Sequence, residues 1–179
     1  GMLHELLKQG AGRLLPGKVA LGMPTEAKAA QAAHQAGPGA VLRLALGQSV
    51  NTFSGAFSDE PVLGDYTVVQ TCNGECTLEG AMMQGVHLRL GPSACLDIDG
   101  IRVAVVSEKT QLIDRQILRM VGIDSEQMRI IVLKSSNHFR ADFMPIASHV
   151  LVAKAAGPMA ADPGDLPWRQ LSPEVRPRP

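Results

Sequence analysis

Leu3, Leu6 and Leu7 recur at helical spacing, and Gly10 and Gly12 end the pattern, so a short amino-terminal helix is predicted. KVALGM, 18–23, is a short strand candidate, and Pro24-Thr25-Glu26 opens an alanine-rich helix that runs to about Ala36, before Gly37-Pro38-Gly39. AVLRLALG, 40–47, alternates as a strand does, whereas 48–64 has no period and is rich in Ser, Asn, Gly and Asp, which predicts a long loop. From Asp65 onward DYTVVQTCNGEC, GVHLRLG, SACLDIDG and IRVAVVS are strand candidates separated by Gly-containing turns, forming an antiparallel region with a tight hairpin at Asp99-Gly100. Asp114 then caps a helix whose apolar side is Ile117, Leu118 and Val121, with Gly122 at its end. MRIIVL, 128–133, has the near-continuous apolar run of a buried strand. A helix over 137–150, bent or restarted at Pro145, and a final strand, HVLVAKA, complete the pattern. The expected fold class is mixed α/β (α+β): a mixed sheet with flanking helices and a central antiparallel hairpin region. One domain is expected over 1–179, with 160–179 as a carboxy-terminal strap in which Leu166, Pro167 and Trp168 dock on a surface.

Composition narrows the function classes. Lys plus Arg equals Asp plus Glu at 17 each, with no long block of one sign, so neither a nucleic-acid groove nor an anionic membrane surface is indicated. Arg169, Arg176 and Arg178 are too few to change that. No apolar run approaches the ~18 residues of a membrane span, and the amino terminus reads as an amphipathic helix rather than a signal peptide. Gly1 ahead of Met2 looks like a residue left by tag cleavage. Three cysteines, Cys72, Cys76 and Cys95, argue against a disulfide framework and favour a reducing compartment, hence a cytoplasmic location. Cys72 and Cys76 flank Asn-Gly-Glu, which suits a hairpin turn better than a metal site. His34 and His87 read as surface residues of a helix and a strand.

The concentrated polar chemistry lies in KSSNHFRADF, 134–143, directly after RIIVL. Lys134, Ser135, Ser136, Asn137, His138 and Arg140 would sit at the carboxyl end of a strand, where open α/β sheets place ligand sites. Ser136 or Asn137 can cap the following helix, and free N–H groups there, with Lys134 and Arg140, suit a carboxylate or an amide oxygen. His138 and Asp142 are four apart, so the aspartate could orient the histidine or join it at a metal. The plainer alternative is a cap, a first-turn histidine and two solvated cations. One His and one Asp are fewer ligands than a hydrolytic zinc site needs. A second polar cluster, Ser107, Lys109, Thr110 and Gln111, either faces the same crevice, if the two strands are neighbours, or simply turns the chain.

The order Gly100 to Ser107, Gln111, Asp114, Gly122-Ile123-Asp124, Arg129 to Val132, Lys134 to Arg140, Phe143 and Pro145-Ile146-Ala147 resembles the carboxy-terminal domain of the MlrC (microcystinase C) family of metallopeptidase-like proteins. The Leu-rich helix, the alanine-rich helix ending in Gly-x-Gly-Ala and the strand ending LALG extend that likeness over nearly the whole chain. The resemblance implies a zinc-dependent peptide (amide) hydrolase whose zinc ligands and acid–base groups belong to a larger amino-terminal domain. This chain would then hold no catalytic residue, metal or cofactor of its own. It would form one wall of the substrate cleft, with Lys134, Ser135, Ser136, Asn137, His138, Arg140 and Gln111 facing substrate or the metal-binding domain, in cis or in trans. Gly47-Gln48-Ser49-Val50-Asn51 stands where the family carries Gly-Gly-Lys-x-Asp, and Leu171 to Val175 replaces a basic segment, so the cleft reads as diverged. The other readings are a stand-alone module binding a small anion or peptide, and a structural domain that self-associates as a homodimer through Phe53 and Phe57.

Overall fold

The structure, a computed structural model, describes every residue except 53, 136, 156, 158, 159, 161 and 177–179. Its main sheet has six strands: β1 (Val19–Thr25), β2 (Val41–Leu46), β3 (Val62–Cys72), β6 (Ser93–Ile98), β7 (Ile101–Val106) and β8 (Ile130–Leu133). Their order is β2-β3-β6-β7-β1-β8. The β2–β3, β3–β6 and β6–β7 pairs are antiparallel, whereas β1 lies parallel to both β7 and β8. Three carboxyl ends therefore emerge together, with Thr25 beside Val106 and Gly22 beside Leu133.

Helices α1 (Met2–Lys8), α2 (Ala11–Leu14) and α3 (Ala27–Ala36) cover one face. On α3 the buried positions are Ala29, Ala30 and Ala33, and these small side chains let the helix lie close to Val68, Leu96 and Val103. The other face is covered by α4 (Gln116–Arg119), α5 (Arg140–Phe143) and a two-stranded ribbon of β4 (Glu75–Thr77) and β5 (His87–Arg89). Central β7 is buried at Val103 to Val106 because both faces are covered. By contrast β3 alternates: Val62, Gly64, Tyr66 and Val68 point inward, and Leu63, Asp65 and Thr67 point to solvent. No helix among the described residues is long and apolar enough to cross a membrane.

The β6–β7 hairpin forms at the expected two residues, Asp99 (φ 51°) and Gly100 (φ 83°), a left-handed pair that matches the twist of the strands. Against it packs Gly12, where a Cβ would come within 2.2 Å of the Asp99 carbonyl oxygen. The mixed α/β class and its antiparallel centre agree with the expectation. Several elements do not. β4 leaves the main sheet to pair with β5, so Cys72 and Cys76 bracket a departure rather than a hairpin, and both remain free thiols. The irregular stretch after β2 is shorter than 48–64, because β3 already starts at Val62. β8 is an edge strand with partly exposed residues, not a buried one, since apolar composition alone does not place a strand at the centre of a sheet. The helix expected over 137–150 contracts to α5 and a 3₁₀ turn, Met144–Ile146, because Pro145 has no N–H to continue the ladder. HVLVAKA, expected as a final strand, joins no sheet among the described residues. In the strap, a 3₁₀ turn at Pro163–Asp165 accepts the Trp168 indole N–H on the Pro163 carbonyl at 2.7 Å, and the ring stays half exposed.

Two buried acids sit in the core. Tyr66 donates its hydroxyl to the Val62 carbonyl at 3.0 Å, and burial, aided by the charge of Glu26, pushes its pKa from 10.0 up to about 12. Burial likewise pushes the Cys95 thiol from 9.0 to about 12. Both groups ionise more readily in the unfolded chain, so the stability they contribute is intact below about pH 9 and is lost as pH rises toward 12. Thermal melts between pH 8 and pH 11.5 should show a falling midpoint that is shallower in Tyr66→Phe; an equally steep fall in that variant would assign the loss elsewhere.

Candidate functional site

The site is built where the segments after β7 and β8 meet the turn that joins β4 to β5. Asp114, only 2 % exposed, is the junction. Its Oδ2 accepts the backbone N–H groups of Glu79 (2.9 Å) and Gly80 (2.6 Å), and its Oδ1 accepts that of Gln116 (2.8 Å). The carboxylate thus caps α4, as its spacing suggests, and also fastens a remote turn. Gly80 is required for the approach: a Cβ there would lie 2.9 Å from Asp114 Oδ2 and 3.2 Å from Asp142 Cγ.

Asp142, 8 % exposed, faces the same junction from α5. It accepts the Arg115 backbone N–H at 2.6 Å and the Arg115 Nη2 at 3.1 Å. The other guanidinium nitrogen, Nη1, lies 2.6 Å from Glu126 Oε1, which also accepts Arg119 Nη2 at 2.8 Å. The hydrogen bond that Arg115 donates to Asp142 raises the Arg115 pKa above its ordinary value, so the guanidinium stays charged. Gln116 Nε2 donates to Glu79 and closes the ring of contacts. A polar cavity of about 150 Å³ lies between Glu79, Gly80, Asp114, Arg115 and Asp142.

Beside this buried network is an exposed one. His138 Nδ1 is 2.6 Å from Gln111 Oε1. An amide oxygen at that position makes Nδ1 the donor and leaves Nε2 as the acceptor of the neutral ring. Arg140 lies over the Phe139 ring at 5.5 Å and donates through Nη1 to the Met144 sulfur at 3.6 Å. Asn137, His138, Arg140 and Ala141 line an open cavity of about 380 Å³ with Ala81 and Met82 of the β4–β5 turn. Lys134 is exposed and Ser135 half buried, while the Ser136 position lies outside the described residues.

The two polar clusters therefore do meet, through Gln111 and His138, although β7 and β8 are not neighbours and β1 runs between them. Ser107 does not take part: its hydroxyl donates to the Pro92 carbonyl at 2.7 Å and fastens the β6 and β7 ends. The pairing of His138 with Asp142 does not form. α5 starts only at Arg140, after His138, and its inward side is taken by Asp142 and Phe143, so the aspartate meets Arg115 while the histidine stays outside. Of the two phenylalanines weighed as a self-association surface, Phe57 is 71 % exposed and position 53 lies outside the described residues. Sequence reasoning missed the β4–β5 turn, where Met82, Met83 and Val86 are exposed. Its signal was the pair of methionines between Gly80 and Gly85. Arg115 and Glu126 were missed as well, because ion pairs across the fold leave no local pattern. Among the described residues no three His, Cys, Asp or Glu side chains converge as metal ligands, so the zinc that the sequence resemblance implies does not fit this set.

With that geometry in view, the comparisons with known proteins are consistent. The family described as "MlrC C-terminus" matches residues 1–170, and the chain belongs to that family. A solved structure, described as a "Putative metallopeptidase" from Mesorhizobium sp. BNC1, superposes with a TM-score of 0.73 at 26 % identity, covering 93 % of this chain and 33 % of that one. The chain thus spans about a third of the length of that protein. No curated protein matches it.

Asp114→Ala leaves three buried or half-buried N–H groups without their acceptor and should lower stability by about 2–4 kcal/mol in urea titrations. Asp114→Asn, which keeps one acceptor oxygen, should cost less. Equal stability of Asp114→Ala and the parent chain would mean that the carboxylate does not hold the turn.

Proposed function

We propose that this chain is the accessory, cleft-forming domain of an MlrC-like zinc-dependent amide hydrolase. The observation that carries the reading is the exposed Gln111–His138 pair with Asn137 and Arg140, set at the rim of an open cavity that also has the apolar Met82 side chain. In this reading Arg140, Lys134 and Asn137 bind a substrate carboxylate or amide oxygen, and His138, oriented through Nδ1 by Gln111, presents an acceptor or a proton at Nε2. Zinc belongs to a separate metal-binding domain, in cis or in trans, where it would supply a polarised water for amide attack. Membership of the MlrC carboxy-terminal family and the third of a metallopeptidase-like chain that this fold spans both support that division of labour.

A second reading is favoured by the cavity itself. Its mixed lining of Met82 and alanines with one cation suits a small amphiphilic carboxylate or peptide end, bound without any metal. Saturable calorimetric binding of N-acetyl-leucine by the chain alone, lost in Arg140→Ala, would favour it.

The decisive experiment combines zinc analysis with an amide-hydrolysis assay, on the chain alone and on the chain joined to an MlrC-like metal-binding domain. The chain alone should hold no stoichiometric zinc and turn over no substrate. In the assembled protein His138→Ala and Arg140→Ala should each lower kcat/KM about tenfold, some 1.4 kcal/mol, with zinc content unchanged. Turnover with tightly bound zinc by the isolated chain, or full activity of the double variant, would overturn the reading.

A further inference from the structure

Residues 148–155 have the composition of one environment and the surroundings of another. HVLVAKA is β-branched and apolar, as strands are, yet Leu151 is 92 % and Val152 83 % exposed. Among the described residues no backbone hydrogen bond reaches 148–155. Meanwhile, among the described residues, β8 is an open edge bonded to β1 on one side only, and its four residues Ile130 to Leu133 are all apolar and at least partly exposed. Natural edge strands are usually guarded by charge, proline or a covering segment, and β8 has none of these within its span. A strand without a sheet and a sheet edge without a strand occur in the same chain.

We propose that Val150–Lys154 seats on the free edge of β8 as a parallel seventh strand, closing the sheet in the order β2-β3-β6-β7-β1-β8 followed by this segment. The connection through 134–149 exceeds the dozen or so residues that a parallel crossover needs. Its helix is already in place: Phe143 of α5 is 3 % exposed within the core cluster that also holds Ile117 and Leu118 of α4. The β7–α4–β8 connection crosses that same face and advances in that same direction along the sheet. A strand after α5 therefore repeats the hand of a crossover that the fold already contains, as the uniform handedness of such connections requires. Lys154 pairs with Asp165, which ties the far end of the segment to the strap's 3₁₀ turn. Closure would cover β8, the strand that ends at Leu133 just before Lys134, and so would fix the turn that carries Asn137 and His138. The inference rests on the sheet and not on the hydrolase reading.

Hydrogen exchange by mass spectrometry on the full chain tests this, with light scattering to follow the oligomeric state over a range of concentrations. In the monomer, amides of 150–154 should exchange at least ~10-fold more slowly than an unstructured chain. Val152→Pro, which removes an amide donor, should abolish that protection and speed exchange at Ile131 and Val132 severalfold, with α3 unaffected. Leu151→Ser, which keeps the amide, should do the same to a smaller extent and serves if the proline variant does not fold. Unprotected amides at 150–154, or an unchanged β8 in both variants, would overturn the proposal. Protection that appears only where dimer forms would also overturn it, by assigning the edge to a second copy.

Discussion

The Asp114 carboxylate is the point on which the functional end of this molecule depends. Three backbone N–H groups from two distant segments converge on its two oxygens, and Asp142 with Arg115 completes the junction from α5. The charges are partly desolvated, which would be costly for any one of them alone. They are tolerated because each is paired: the carboxylates with N–H donors and a guanidinium, the guanidinium with Asp142 and Glu126. Gly80 is part of that constraint, since no side chain fits between the two carboxylates. Through this junction the methionine-bearing turn of the small ribbon is held beside the His138 segment, and the open cavity between them is the result.

The sheet explains why that junction lies where it does. β1, β7 and β8 are parallel, so their following segments leave from one end of the sheet, as ligand-binding segments of open α/β sheets do. The antiparallel half, β2-β3-β6, is a platform for α3 and carries little concentrated polar chemistry. Stability and candidate chemistry are thus divided between the two halves of one sheet. The domain that results spans about a third of the length of its metallopeptidase-like neighbour.

The legible parts of this protein were those set by local periodicity and turn chemistry. The alanine-rich helix, the Asp99-Gly100 hairpin and the cap at Asp114 each depend on residues within a few positions of one another, and each formed as its pattern implies. The run Lys134 to Arg140 was visible as a polar cluster after an apolar strand, and Gln111 as a residue of a second cluster. Their contact, by contrast, spans 27 residues and depends on a strand, β1, inserted between the two that precede them. The expected His138–Asp142 pair failed because i,i+4 spacing matters only inside a helix, and α5 begins after His138.

The amino-acid sequence by itself determined the mixed α/β class, most of the strands and their turns, and the membership of the MlrC carboxy-terminal family, because these follow from short-range pattern and from a specific run of residues. Only the tertiary structure decided that RIIVL lies at an edge, that β4 leaves the main sheet, and that Asp142 serves Arg115 instead of His138. The physical reason is common to all three. An apolar run, a strand period or a carboxylate states what a residue needs, while the partner that meets the need is chosen by packing between segments far apart in the chain.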